Sequence, residues 1–564
     1  LSFWLLAFCF IALFLLPLAI GLFGTLLPAL NYLPSLGHNE LSTTAFSTLF
    51  NHPTTFSATW LTLRVGWIST FISLCLALFL FACFYLRPGW RWINAALSPV
   101  LAIPHAALAV GLSFVIAPSG WLLRLTSPAL TGFDYPPNWQ TTQDPWGVSL
   151  ILLMVLKETP FLLLMLLSAA KSVPIKQTIT LAQSMGYHSS IAWLKLVLPQ
   201  LLPPLRLPIC AVLAWSLSAV DVSVILGPST PPTLSVLVYS WFNDADIALR
   251  LQGAAGAIWL LGLNLASIAV LFVLPRIAWP WLQGWLVNGQ RRGLLSHINK
   301  LGTAVAVSYL ILIISSLFVL AIWSITKQWR FPDPLPSQWR LSYWQQTLDQ
   351  FSPTLINSLS LALLSAAIAL LLSVVILELE TRQAQIAKHR ANPLRYVALF
   401  YLPLLIPDIA YLFGIQVSLV FASLDGQYLP LLWGHLMFVL PYCFLSLAPY
   451  YRRFDSRYWH QAMLLSGSPW RSFFQIKLMM LLPALFSSLA LGFTVSMTLY
   501  LPTLFIGGGR FPTLATELVA LVAGADRRLI AVYALLLQGL PLLMFVAALA
   551  LPRIIFRHRK GMRI

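Results

Sequence analysis

Charged side chains are scarce in this chain, and several stand where they cost energy. Lys157 and Glu158 are adjacent inside the apolar run 146–170. Asp221 and Asp408 lie near the ends of two other runs, and His105 and His435 stand on apolar faces. An ionised side chain at mid-bilayer costs roughly 2.5–3.5 kcal/mol on insertion scales, so such residues face a protein interior or a wet path. Two kinds of chemistry are open to this set: tying helices together, or lining a path for a solute. Neighbouring helical positions do not face each other, so Lys157 and Glu158 each need another partner, unless Lys157 snorkels. Asp408 follows Pro407, where a carboxylate can cap a broken helix; with Asp221 it could instead attract a cation. His105 and His435 read either as helix-linking core histidines or as solute contacts. Arg510 and Glu517 follow the run that ends near 506 and either pair locally or meet a soluble partner.

Catalytic chemistry finds no support. Ser, His and Asp are scattered with no nucleophile-elbow pattern, and no Cys/His/Glu cluster has metal-ligand spacing. The five cysteines (Cys9, Cys75, Cys83, Cys210, Cys443) fall in apolar runs at unrelated spacings, as small buried hydrophobes do. A G-x-x-x-x-G-K-[ST] phosphate loop is absent, and Gly507-Gly508-Gly509 reads as a loop, not a phosphate cradle. The expectation is a non-enzyme with no metal and no cofactor of its own.

The elements that must position these residues are membrane helices. The chain has 564 residues, 59% of them hydrophobic and 9% charged, at a mean hydropathy of +0.82. About twelve apolar runs are long enough to cross a hydrocarbon layer of roughly 30 Å as helices. They lie near 2–30, 56–86, 95–117, 146–170, 200–226 and 252–275, then 303–325, 354–378, 395–422, 429–449, 480–506 and 529–551. The first is too long for a cleaved signal peptide and lacks a small-residue cleavage site. The net charge of +18 follows the positive-inside bias once the N-terminus is placed in the cytoplasm and sides alternate. The C-terminus then also lies inside. No basic stripe with interleaved aromatics is left for nucleic acid. The fold class is therefore all-α and polytopic.

Two features organise the runs. One is a repeat: Ala182 and Ala462, Pro203 and Pro483, Gly227 and Gly507, and the tripeptides Pro232-Thr233-Leu234 and Pro512-Thr513-Leu514 all keep one spacing of 280 residues. Chance matches do not hold register so long, so the chain divides into two six-helix repeats, 1–295 and 296–564. The other is a polar inner segment in each repeat, 171–198 and 451–478. In the first, Ile191, Leu194 and Leu198 mark an apolar helical face. A short surface helix is expected there, with a bend at Pro199 and Pro203 where the chain re-enters the membrane.

At these segments the chain resembles the permease subunits of type I ATP-binding-cassette (ABC) importers. That family carries an inner loop E-A-A-x-x-x-G, then a Leu-Pro pair and often a Pro four residues on. Copy one offers Thr180-Leu181-Ala182, Gly186, Leu198-Pro199 and Pro203. Copy two offers His460-Gln461-Ala462, Ser466 in place of the Gly, Leu478-Met479 and Pro483. Gly467-Ser468-Pro469-Trp470-Arg471 looks like the family's G-A-S-P-W run, with its Gly one place late. The stretches 103–124 and 500–517, with twelve spans in two repeats, resemble the fused permeases of the thiamine and ferric-iron group.

The resemblance implies the type I importer permease fold in a bacterial inner membrane. It implies two cytoplasmic ATPase subunits, holding ATP and Mg, docked on the two inner segments. It also implies a periplasmic substrate-binding protein, with Arg510 and Glu517 as candidate contacts, and membrane lipid around the bundle. His105, Lys157, Glu158, Asp221, Asp408 and His435 are the candidate path residues, for a small solute such as thiamine or a cation. The competing expectation is an ion-gradient-driven transporter of two six-helix repeats, with Lys157, Glu158 and Asp221 as the coupling relay.

Overall fold

Backbone in hydrocarbon must satisfy its own hydrogen bonds, and a helix does so within one segment. The computed structural model describes residues 15–291, 298–350, 352–386, 402–524 and 526–557. Within them, extended pairing is limited to a hairpin of β1 (Thr326–Gln328) and β2 (Gln338–Trp339) and one bridge between Leu33 and His38. The rest is helix and connection. The first half holds α1 (Leu16–Ala29), α2 (Thr55–Phe84), α3 (Trp90–Ala102), α4 (His105–Ile116), α5 (Trp121–Thr126), α6 (Val148–Ala170), α7 (Ile175–Ser184), α8 (Leu198–Ser218), α9 (Asp221–Leu226), α10 (Leu234–Phe242) and α11 (Leu249–Val287). The second holds α12 (Ile298–Ser324), α13 (Ser352–Ile386), α14 (Asp408–Phe421), α15 (Tyr428–Arg452), α16 (Ser456–Ser466), α17 (Leu482–Thr498), α18 (Leu501–Gly507), α19 (Leu514–Val522) and α20 (Arg527–Ile555).

Among the described residues, nine helices are long and apolar enough to cross a membrane, and Pro469–Met480 with Leu482–Thr498, bent by 71°, makes a tenth. Two shorter apolar helices, α1 and α14, follow runs expected at 2–30 and 395–422 that are described only from 15 and from 402. The expectation of about twelve spans therefore falls partly outside the described residues. So do Cys9 and the end of the basic tail.

Four expected continuous spans are broken, one of them, 395–422, at Ile406-Pro407. The run 95–117 divides into α3 and α4, because Pro104 supplies no N–H and pushes Ile103 out of the helical region (φ −69°, ψ 124°). Span 200–226 breaks at Ala219-Val220 and restarts at Asp221, and span 480–506 breaks at Leu499-Tyr500. The first connector differs too. α11 continues for 39 residues to Val287, so much of the expected inner loop 276–302 is helix. Cys83, Cys210 and Cys443 are buried as expected, whereas Cys75 is exposed on α2.

Helices far apart in sequence pack together: α1 packs chiefly on α14, and α12 packs on α4. Small residues permit both contacts. A Cβ on Gly24 would stand 2.8 Å from the Gly414 carbonyl oxygen, and one on Gly111 would stand 2.6 Å from that of Ser316. Thr25 Oγ1 accepts from the Gly414 amide at 3.0 Å and donates to the Gly21 carbonyl at 3.0 Å.

Candidate translocation path and coupling loops

The broken helices bring the scarce polar groups together. His105 opens α4 after Ile103-Pro104, Asp408 opens α14 after Ile406-Pro407, and Asp221 opens α9 after the Ala219-Val220 break. A helix N-terminus carries partial positive charge, so a carboxylate in its first turn is stabilised. Asp221 lies within electrostatic reach of His105, Asp408 and Tyr500. His105 Nε2 is 3.3 Å from Glu158 Oε1, and its ring lies 4.3 Å from that of Trp215. The Tyr239 and Tyr500 hydroxyls hydrogen-bond at 2.7 Å, and Tyr411 donates to Asp408 Oδ1 at 3.3 Å. Pro407 is the N-cap of α14 and Asp408 its first residue, so the Tyr411 bond is made one turn on within the same helix. His105, Asp221 and Asp408 are each half-buried.

Lys157 and Glu158 part company, as adjacent helical positions must. Lys157 turns to the break between α3 and α4 and donates to the carbonyls of Ile103 (2.5 Å), Leu101 (3.4 Å) and Val100 (3.5 Å). The interrupted helix leaves the Leu101 and Ile103 carbonyls without amide partners, whereas Val100 also accepts from the Ile103 amide at 3.4 Å. Glu158 faces His105. His435 is 1% exposed, with Nδ1 2.8 Å from Ser496 Oγ and Nε2 3.0 Å from Thr503 Oγ1. It links α15 to α17 and α18 within the core.

Both inner segments fold as a surface helix, a tight turn and a rising helix. In copy one, α7 exposes Thr180 and Leu181 and buries Ala182, and Met185, just after it, is exposed. The chain turns at Gly186 (φ +83°) and enters a continuous helix from Ser189 to Ser218 through a π-helical turn at Trp193–Val197. Leu198 and Pro199 lie within that continuous helix, half-buried. The expected bend at Pro199 and Pro203 is therefore absent; the turn is made at Gly186, where only glycine takes a left-handed φ without strain. Copy two keeps a bend, at Leu481, just before Pro483.

In copy two, α16 exposes His460, Gln461, Leu464 and Leu465, leaving Ala462 half-buried. It runs through Ser466 to a left-handed Gly467 (φ +64°). The Ser466 hydroxyl bonds the Ser468 carbonyl at 3.1 Å and Ser472 Oγ at 2.8 Å. The late glycine is thus a longer helix with a shorter turn, and Ser189–Ala192 still recurs in register as Pro469–Ser472. A π-turn recurs too, Phe473–Lys477.

The sequence reading missed how each loop is held. Lys195 donates to Asn288 Oδ1 at 2.6 Å, and the His188 amide donates to the Arg291 carbonyl at 2.9 Å, so copy one is tied to the connector. Lys477 donates to Glu378 Oε2 at 2.6 Å, and Arg452 grips Glu380 at 3.0 and 3.1 Å, so copy two is tied to α13. A glutamate pair closing an apolar run was the available signal. At the opposite end of the bundle, Arg510 is exposed and 3.8 Å from Asp425, while Glu517 is half-buried on α19. Among the described residues no group of three or more His, Cys, Asp or Glu could hold a metal ion.

Spans interrupted where they carry charge, with two surface helices at one end, define a membrane transport subunit. The chain belongs to the ABC transporter permeases. It is 31% identical over 526 residues, 93% of each chain, to the inner membrane ABC transporter permease protein YnjC of Escherichia coli (strain K12). No protein-family model matches it. The chain is thus a permease subunit of an ABC transporter and a multi-pass inner-membrane protein.

Proposed function

We propose that this permease forms the path of an ATP-driven importer for a small cationic solute. Its repeats are 1–295 and 296–564, and both chain termini are cytoplasmic. α7 and α16, with the turns that follow them, dock two cytoplasmic ATPase subunits that hold ATP and Mg. ATPase closure levers α8 and α17 and opens the path to one side at a time. A periplasmic binding protein delivers the solute, and Arg510 and Glu517 meet it. His105, Glu158, Asp221 and Asp408 line the path, Lys157 positions the α3–α4 break, and His435 holds the second half together.

One observation carries the reading: each half has an exposed helix feeding a span through a π-turn, with large apolar side chains such as Met185 and Leu465 left uncovered. The cationic preference rests on three carboxylates against one histidine, with Lys157 turned away. The test is purification of the detergent-solubilised chain with mass spectrometry of what accompanies it. Two ATPase subunits per chain, lost on replacing α7 and α16, is the expected result. A chain that purifies alone and moves solute down a proton or sodium gradient in liposomes would overturn it.

A further inference from the structure

At the end of the bundle opposite the coupling loops, α5, α12 and α20 meet the β1–β2 hairpin around an open cavity of about 360 Å³. Its lining includes Arg124, Lys327, Arg527 and Arg528, with Trp323 and Trp329. The one carboxylate there, Asp526, is bound by Arg528 Nε at 2.8 and 2.7 Å. Among the described residues no carboxylate lies within ion-pair distance of Arg124, Lys327 or Arg527. Arg124, 4% exposed, is stacked 4.8 Å over Trp329 and donates to the carbonyls of Ser119, Arg330 and Asp333. Asp333 is within electrostatic reach of Arg124 but bonds it by its backbone.

Arg527 sits over Phe114 (5.7 Å) and Trp323 (5.5 Å) and, among the described residues, donates only to Ser119 Oγ, at 3.0 Å. Most of its five N–H donors remain unspent. It lies within electrostatic reach of Arg124. Two guanidiniums held together with no carboxylate in direct contact repel each other; Asp333 offsets this only from longer range and Asp526 is taken up by Arg528, so an anion between them lowers the cost.

The surroundings say which anion. Trp121 packs on Phe318 at 5.3 Å, and Phe318, Leu122 and Leu125 are all exposed beside the cavity. An apolar flank next to a basic, tryptophan-lined pocket at the ends of membrane helices matches acyl chains and a headgroup. We propose that this pocket holds the phosphate of an anionic phospholipid, with Arg527 and Lys327 as its free donors and Arg124 as its buried charge. The inference requires only that the chain spans a membrane.

The test is native mass spectrometry of the full-length chain released from nanodiscs of equal phosphatidylglycerol and phosphatidylcholine. Wild type is expected to retain phosphatidylglycerol in preference. Arg527→Gln and Lys327→Gln should each lower that ratio about fivefold, with Arg510→Gln leaving it unchanged. Lys327 is exposed on the hairpin, so its variant tests the site even where Arg527→Gln fails to fold. Equal retention of the two lipids, or a ratio that Lys327→Gln does not move, overturns the proposal. So does a result in which the variants spare lipid retention and instead weaken capture of a soluble protein, which would make the pocket a protein contact. Loss of retained phosphatidylglycerol to added inorganic phosphate, without the variants' effect, also overturns it.

Discussion

Lys157 donates to the carbonyl of Ile103 at 2.5 Å, across the gap where α3 ends and α4 begins. One ammonium thus satisfies backbone oxygens that a proline-broken helix exposes. Lys157→Met removes the donor and leaves the Ile103 and Leu101 carbonyls orphaned, at a cost of about 1–3 kcal/mol. A lowered Tm is expected. Glu158→Gln leaves that joint intact and should keep Tm near wild type while lowering transport about tenfold, or roughly 1.4 kcal/mol in the barrier. Thermal unfolding beside liposome uptake separates the two; a stable Lys157→Met protein would contradict the joint.

Leu465 is 90% exposed and Leu464 82% exposed on a surface helix, an apolar patch of the kind that marks a protein contact. Leu465→Asp should reduce ATPase co-purification about tenfold while stability changes by no more than ~0.5 kcal/mol, as for other surface substitutions. Undiminished co-purification would move the docking surface elsewhere.

Asp526 caps α20, accepting from the Arg528 amide at 3.0 Å. Burial pushes its carboxyl up, but the Arg528 and Tyr343 hydrogen bonds outweigh that and hold it below the usual aspartate value. A depressed folded pKa contributes stability above the unfolded value of about 3.9 and loses it as pH falls through the lower folded value. Asp526→Asn should therefore lower Tm at pH 7, and the gap to wild type should close as pH falls through the lowered folded value. A gap independent of pH would show that only shape matters at this cap.

The spans were legible because hydrophobic length is a direct physical requirement of the bilayer, and the 280-residue spacing because side chains at matching turns face matching constraints. The breaks were half-visible. Pro104 and Pro407 announce theirs, but Ala219-Val220 has no proline, and only packing shows that the helix stops there. Gly186 was visible as a motif position, whereas the turn it makes was assigned to Pro199, since prolines inside membrane helices are tolerated when neighbours satisfy the backbone. The partners of Lys157 and His435 were beyond the sequence, because they come from residues tens of positions away.

Glu378 is the hub that fixes the inner segment 451–478. It accepts from Lys477 at 2.6 Å, Tyr451 at 2.5 Å and Arg382 at 2.8 Å, with the Lys477 and Glu378 side chains only 9% and 13% exposed. Removing one partner of a buried pair is expensive because it strands the other, typically at 3–5 kcal/mol. The two partners are not equal here. Lys477→Met leaves Glu378 held by Arg382 and Tyr451, and should cost about 1–2 kcal/mol, near one charged hydrogen bond. Glu378→Met strands a buried Lys477 and should cost about 3 kcal/mol. The double variant should cost less than the two single changes added together, because no unpaired ammonium remains. Thermal unfolding of the three variants decides it. If Lys477→Met proves as damaging as Glu378→Met, the ammonium itself and not the hub carboxylate anchors the loop.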